Sequence, residues 1–269
     1  MRMALVEVIG SLIRELSSSD DMTNDSTQTH KQLSGLFDLL ISRTLDLSSY
    51  VRSKVLATFS KLCDLRIPFP KQRLMITRQA AAMLEDKAST VRKSAVALLT
   101  KLVWTHPWGL MHGGPLNLEK WQGYYEEVKA KLDKLEDAVG KAVERDKAGE
   151  ESKQDGEDGN EEDKEEGDVS EDDEMQVDDA ENAPRALAAM TSEQEALAAL
   201  ESNEALHLRL RKKYYSEALN FIRTIESAME PVMQLLGSTN KAEVLESMEF
   251  FRVTKEYEFE SAEVALYYP

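Results

Sequence analysis

The chain has 269 residues, of which 42% are apolar, with one cysteine and a net charge of −17. A chain of this length can bury a core as one or two domains, or as a short helical solenoid. One cysteine excludes an internal disulfide framework and suits a reducing compartment, and no apolar run reaches the ~18 residues of a membrane span, so we expect a cytosolic or nuclear protein.

The charge is unevenly distributed along the chain. Residues 148–182 contain 18 Asp or Glu and two Lys, whereas residues 31–105 contain 13 Lys or Arg and five acids. The acidic tract has almost no apolar residues to offset the entropy of ordering, so we predict that it is a disordered linker. Ser170, which directly precedes a run of four acids, is a candidate phosphosite within it. A basic segment with an acidic appendage is typical of a surface that faces nucleic acid.

Residues 1–16 predict an amphipathic helix, and polar residues 17–29 predict a loop. Aligning Arg2 with Arg52 places the apolar residues of this first helix on those of a later helix. We therefore expect the sequence to begin inside the second helix of a repeat and to be part of a longer protein.

The clearest feature of the sequence is a stretch that occurs twice, at residues 48–64 and 88–104. Each copy carries apolar residues at i, i+4, i+8 and i+11, the pattern of a helix buried along one face, and each follows another apolar helical segment. A helix pair of about forty residues is the period of HEAT-type repeats. We predict an all-α, armadillo-like HEAT-repeat α-solenoid. The residues shared by the two copies are Ser49, Val51, Arg52, Ala57, Lys61 and Leu62, which match Ser89, Val91, Arg92, Ala97, Lys101 and Leu102.

Both copies also place an aspartate six residues before an arginine. A carboxylate in the turn within a repeat can pair with an arginine in the first turn of the following helix. Stacked repeats would then form a ladder of alternating charge, so we assign a structural role to Asp46, Arg52, Asp86 and Arg92.

Two long helices are predicted to form a hairpin around the acidic tract. From Asn117, a plausible N-cap, apolar residues follow a heptad pattern as far as Ala142, and a second apolar face extends from Leu206 to Met229. Pro231 is expected to kink or break the second helix. The predicted organisation is therefore repeats ending in a long helix (1–147), the disordered acidic linker (148–182) and further HEAT-like helices (183–269).

No arrangement of residues in the sequence predicts catalysis. The four histidines are scattered without metal-ligand spacing, and no nucleophile–base motif, phosphate-binding loop or dinucleotide fingerprint is present. We therefore predict a protein that is not an enzyme and that has no metal, no cofactor and no small-molecule substrate.

The remaining functional candidates are basic residues outside the apolar faces that the helices are predicted to bury. They are either solvated helix faces or a basic ridge that contacts DNA phosphates, and the residues alone leave both interpretations open. The DNA-phosphate candidates are Lys54, Lys61, Arg66, Lys71, Arg73, Arg78, Lys93 and Lys101.

Several strings of this sequence carry a resemblance to a known family. They are Phe-Pro-Lys-Gln-Arg-Leu at 69–74, Leu-Glu-Asp-Lys at 84–87, Val-Arg-Lys at 91–93, Thr-His-Pro at 105–107 with His-Gly-Gly at 112–114, Leu-Leu-Gly-Ser at 235–238, Asn-Lys-Ala-Glu-Val at 240–244 and Met-Glu-Phe-Phe at 248–251. Together they resemble the condensin complex subunit 1 family, the non-SMC HEAT-repeat subunits of condensin. The resemblance covers the chain except the acidic tract.

The resemblance implies a scaffold that acts in mitotic chromosome condensation during cell division. It implies the condensin kleisin and SMC subunits as partners, contact with double-stranded DNA in chromatin, and a location in the nucleus and on mitotic chromosomes with a cytoplasmic pool. ATP hydrolysis would belong to the SMC subunits. Two alternatives stay open, namely a protein-only solenoid that grips a kleisin-like peptide, and an adaptor of the transport or phosphatase-scaffold type.

Overall fold

The structure is a computed structural model that describes residues 1–18, 26–65, 69–154 and 183–262. Within these ranges it contains helices and no strand, which confirms the predicted all-α helical repeat fold. The chain forms two compact units, residues 1–124 with 214–269, and residues 125–213. The helices are α1 (Arg2–Ser18), α2 (Ser26–Arg43), α3 (Ser49–Leu62), α4 (Pro70–Ala82, followed by a 3-10 turn Met83–Glu85), α5 (Ser89–Trp104), α6 (Gly109–His112), α7 (Leu118–Gln154), α8 (Ala183–Leu236) and α9 (Lys241–Glu256).

The first unit consists of two layers of helices. Helices α1, α3, α5 and α9 lie side by side in one row, each in contact with the next, and α2 and α4 pack against this row from one side. The repeated apolar stripe explains the row, because Val51, Val55 and Leu62 in α3 are buried, as are their counterparts in α5. In α1 the buried residues are likewise on one face, with Val6, Ile9 and Ile13 buried and Leu5, Val8 and Leu12 exposed.

Helices α1 and α3 approach each other closely at a glycine. A Cβ atom added to Gly10 would lie 2.5 Å from Cγ2 of Thr58, which is too short for any real contact. Val6 and Ile13, on either side of Gly10, are completely buried. The absence of a side chain at residue 10 therefore sets the distance between the two helices.

The turn before α9 repeats the geometry of the turns before α3 and α5. Oδ1 of Asp46 accepts a hydrogen bond from the N–H of Ser48, and Oδ1 of Asp86 accepts one from Ala88. Before α9, Oγ of Ser238 accepts the equivalent bond from the N–H of Asn240, at 3.1 Å. The end of α8 and the whole of α9 thus form a third helix pair in which serine replaces the aspartate.

An aromatic junction follows α5. Trp108 is 2% exposed and its ring centroid lies 4.7 Å from that of Phe221, while its carbonyl accepts a hydrogen bond from the Tyr214 hydroxyl. The next helix starts as expected, since Oδ1 of Asn117 accepts a bond from the N–H of Lys120 and so caps α7. These contacts fix the start of α7 and residues 214–236 of α8 within the first unit.

Helix α8 continues through Pro231 as far as Leu236, so the predicted break does not occur. Proline removes one helical hydrogen bond, but neighbouring Met229, Val232 and Leu235 are buried, and this packing holds the helix together. Helix α7 extends to Gln154, beyond the predicted start of the acidic linker. Residues 155–182 and Ser170 lie outside the described residues, so the predicted disorder and phosphosite stay predictions.

In the second unit, α7 buries part of its apolar pattern, and one ion pair joins it to α8. Val128 and Leu132 of the heptad pattern are buried, and Arg209 pairs with Glu136 at 2.8 Å. Leu206 and Leu210, which the sequence assigned to the apolar face of α8, are 53% and 56% exposed. The start of the predicted α8 stripe runs in steps of four residues, and each step turns about 40° beyond one full turn of the helix, so Leu206 and Leu210 lie off the face that Ala218 buries.

Candidate partner and nucleic-acid interface

The four ladder residues lie along one edge of the stacked helices, where each arginine joins two repeats. Nη1 of Arg52 donates to the carbonyl of Asp46 in its own repeat at 2.7 Å. Its Nε and Nη2 donate to the two carboxylate oxygens of Asp86 in the next repeat, at 2.7 and 2.8 Å. The arginine therefore binds backbone within its repeat and a carboxylate across the repeat boundary.

The Asp86 carboxylate is shielded, with 8% of its side chain exposed. Burial acts to raise its pKa, but the hydrogen bonds from Arg52 and from the backbone N–H of Ala88 outweigh burial, and the pKa of Asp86 is lowered. The carboxylate is thus ionised whenever the protein is near neutral pH, and the pair acts as a bidentate ionic contact.

Two further ion pairs, here called rungs of the ladder, lie before and after this pair. Arg2 lies 2.8 Å from Oδ1 of Asp46, with 56% of the arginine side chain exposed. Arg92 binds the carbonyl of Asp86 and lies 2.8 Å from Oε1 of Glu243, a completely buried side chain of α9. Ser238 donates its hydroxyl proton to the other oxygen of Glu243.

Sequence reasoning missed Glu243 because this acid lies inside α9, in its first helical turn. In the two earlier repeats the acid lies in the loop before the helix. Glu243 occupies the position of Val51 and Val91 in the earlier repeats, where the pattern predicts an apolar residue. Ser247, one turn later, likewise stands in place of Val55. Its buried Oγ and Oε1 of Glu243 both have no hydrogen-bond partner among the described residues, so the contact of Arg92 with Oε1 is an ionic one. The sequence signal that could have identified Glu243 is an acid at a position where the repeats bury an apolar residue, since a buried carboxylate needs a partner.

Three of the predicted DNA-phosphate candidates are engaged with carboxylates of other helices. Lys54 pairs with Glu7, and the hydrogen bond and charge of the lysine lower the pKa of that carboxyl. Lys101 lies 2.7 Å from Asp64, and Lys93 lies 3.9 Å from Glu246. These pairs are partly exposed, so each contributes little to stability, but each neutralises local charge.

Arg73 corrects the prediction most directly, because its guanidinium is turned into the protein. It donates to the carbonyl of Leu102, to that of Cys63 and to the hydroxyl of Thr105. These acceptors lie at the C-terminal ends of α3 and α5, where helix dipoles favour a cation. Burial, and then the charge of Arg73, lower the pKa of His106 to about 4, so this imidazole is neutral at pH 7.

Three candidates are exposed and make no ion pair with any described residue: Lys61, Lys71 and Arg78. Lys71 and Arg78 are seven residues apart and share a face of α4, whereas Lys61 belongs to α3 in the other layer. The candidates therefore do not form a single ridge on one layer. Arg66, the eighth candidate, lies outside the described residues.

No group of three or more His, Cys, Asp or Glu in the described part of the chain could hold a metal ion. Among the same residues, no helix is both long and apolar enough to span a membrane. Burial raises the pKa of the Cys63 thiol, which is the behaviour of a core residue rather than of a nucleophile.

Comparison with known proteins gives a consistent result. No family model matches the chain. Condensin complex subunit 1 of Saccharomyces cerevisiae is 30% identical over 272 residues, which cover 99% of this chain and 22% of the relative. The protein of the same name from Schizosaccharomyces pombe is 29% identical and covers 93% and 20%. Condensin-1 complex subunit CAP-D2 of Arabidopsis thaliana is 25% identical and covers 99% and 18%.

The chain spans about a fifth of the length of the curated relatives that it matches. All three relatives are named as subunits of condensin, and the matches include the acidic tract that the sequence motifs left out. The likeness of this chain to the condensin complex subunit 1 family is thereby confirmed along nearly its whole length.

Proposed function

We propose that this chain is a non-catalytic HEAT-repeat scaffold segment of a condensin complex that acts in mitotic chromosome condensation. The observation that carries the proposal is the match to condensin subunits over 99% of the chain, combined with a row of stacked helices locked by ionic rungs. Its partners in the proposal are the kleisin and SMC subunits and double-stranded DNA, and its location is the nucleus and mitotic chromosomes.

Within this role, Lys61, Lys71 and Arg78 are the residues proposed to contact DNA phosphates. Each is exposed and makes no ion pair with a described residue, although the charge of Lys61 contributes to lowering the pKa of Glu7. Phosphate contacts need positive charge but no base-specific geometry. The acidic tract at 148–182 competes with DNA for the same cations in this proposal.

Fluorescence anisotropy of a labelled DNA duplex across a salt series tests this function. The variant carries Lys61→Glu, Lys71→Glu and Arg78→Glu, and the matched control carries Lys129→Glu, Lys134→Glu and Arg223→Glu, which changes the net charge equally. Three lost phosphate contacts reduce the slope of log K against log salt by about 3. A deletion of residues 150–181 is expected to tighten binding.

Equal loss of affinity in both triple variants would mean that net charge alone drives DNA binding, and the proposed contact residues would be wrong. No measurable DNA binding by any of the proteins would favour the second candidate, a protein-only scaffold. One observation supports that candidate, namely the pairing of Lys54, Lys93 and Lys101 with carboxylates.

A further inference from the structure

A groove of about 580 Å³ lies between the turn that precedes α5 and the C-terminal part of α8. The turn supplies Glu85 and Lys87, and α8 supplies Ser227, Glu230 and Gln234. The groove is within the range of volumes of small-ligand sites and can hold one long side chain with its flanking backbone.

The wall formed by α8 presents acceptors because a proline interrupts its hydrogen bonding. Pro231 has no N–H to donate to the carbonyl of Ser227, four residues earlier, and both residues line the groove. Glu230 and Gln234, one turn apart on the same helix, add a carboxylate and an amide oxygen beside it. The residues of α8 that line the groove therefore offer three kinds of oxygen acceptor.

The opposite wall adds a second carboxylate and is held rigidly. Glu85 is exposed and makes no ion pair with any described residue, and the same is true of Glu230. Asp86 and Arg92, which also line the groove, are already committed to the ladder through Arg52 and Glu243. Among the charged residues that line the groove, those without an ion pair to a described residue are thus the carboxylates of Glu85 and Glu230 and the ammonium of Lys87.

The remaining lining is apolar. Leu84 is 3% exposed and Leu235 is 9% exposed, and Pro231 lies beside them. Such a surface fits the methylene stem of a long basic side chain whose charged end reaches polar acceptors.

We propose that this groove binds an arginine side chain of a partner polypeptide. The guanidinium has five N–H donors in a planar fork, which matches two carboxylates, a freed carbonyl and an amide oxygen better than the compact ammonium of lysine. Nucleic acid does not fit, because its phosphates would meet Glu85 and Glu230. The site is independent of the proposed DNA contacts, whose residues carry the opposite charge.

The test is a titration of the full chain with the peptide Gly-Ser-Gly-Arg-Gly-Ser-Gly, followed by amide chemical shifts in NMR. We expect saturable shifts at residues 84–87 and 227–235, weaker binding of the lysine peptide and no binding of the citrulline peptide, which lacks the charge. The double variant Glu85→Gln/Glu230→Gln is expected to bind the arginine peptide at least tenfold more weakly, and Lys87→Gln about twofold more tightly.

The control variant Glu15→Gln/Asp38→Asn removes two exposed carboxylates of α1 and α2 and is expected to bind like the unmodified chain. The proposal is overturned if the shifts fall elsewhere, if citrulline binds as well as arginine, or if the two double variants behave alike. DNA anisotropy of Glu85→Gln/Glu230→Gln is expected to stay unchanged, which separates this site from the DNA contacts.

Discussion

Arg52 and Asp86 belong to different repeats, yet they form a bidentate ion pair, with N–O distances of 2.7 and 2.8 Å. The side chains are 16% and 8% exposed, so water screens the pair weakly. Loss of either partner leaves the other charge shielded from water without compensation. The pair therefore ties the first repeat to the second.

Replacement of Asp86 by Asn is expected to lower the free energy of unfolding by about 2–3 kcal/mol, because the guanidinium of Arg52 loses its charged acceptor. The comparison variant is Arg2→Ala, which breaks the pair with Asp46 from the side of an arginine that is 56% exposed, although Asp46 itself is 3% exposed, and it should cost less, about 1 kcal/mol. Urea unfolding measures both. Equal costs in the two variants would show that the exposure of the arginine does not set the strength of these rungs.

The contribution of Asp86 is expected to depend on pH in one direction. Its folded-state pKa lies below the ordinary value of 3.8, so the folded protein binds this proton less readily than the unfolded chain does. The stabilisation is therefore complete above the ordinary pKa and declines as the pH falls below about 4. Urea unfolding of the unmodified chain and of Asp86→Asn between pH 3 and 7 should show a stability difference that shrinks only at the acidic end.

The close contact of α1 with α3 predicts opposite effects of two glycine substitutions. Gly10→Ala forces its Cβ against the Thr58 methyl group and is expected to lower the free energy of unfolding by about 1–3 kcal/mol. Gly35→Ala in α2 has open space around its Cβ and is expected to add about 0.5–1 kcal/mol. The double variant Gly10→Ala/Thr58→Ser removes the clashing methyl group and should recover part of the loss. Thermal unfolding compares the three proteins.

The unpartnered hydroxyl of Ser247 predicts a stabilising substitution. Its Oγ is buried without a hydrogen-bond partner among the described residues, and the equivalent residue in α5 is the completely buried Ala95. Ser247→Ala is expected to raise the free energy of unfolding by about 1 kcal/mol. Glu243→Gln, one turn earlier, should instead destabilise the fold, since it weakens the contact with Arg92. A loss of stability in Ser247→Ala would indicate that its hydroxyl is hydrogen-bonded in solution.

The sequence predicted the repeats well, because a helix buried along one face leaves a periodic record in its apolar residues. It also predicted a structural role for Asp46, Arg52, Asp86 and Arg92, but it did not predict that each arginine reaches forward to the carboxylate of the next repeat. The same spacing allows a pair within one repeat, and only the stacking of α3 on α5 distinguishes the two arrangements.

The charged surface was harder to predict than the core. A lysine in a sequence shows its charge but not its neighbour, and the partners of Lys54 and Lys101 are 47 and 37 residues away in the chain. The inward direction of Arg73 likewise depends on two helix ends that meet only in the folded protein. Residue type therefore predicted the sign of the surface charge, whereas the fold decides which charges are free.

In the ladder, each arginine pairs with an acid of the following repeat, and this pattern stops at α9. Val244 in α9 occupies the position of Arg52 and Arg92, so α9 receives a rung from α5 but sends none onward. Each arginine keeps its backbone acceptors when the following helix leaves, but it loses its carboxylate. Detachment of α9 would thus strip Arg92 of its counter-ion and leave the pair of Arg52 with Asp86 intact.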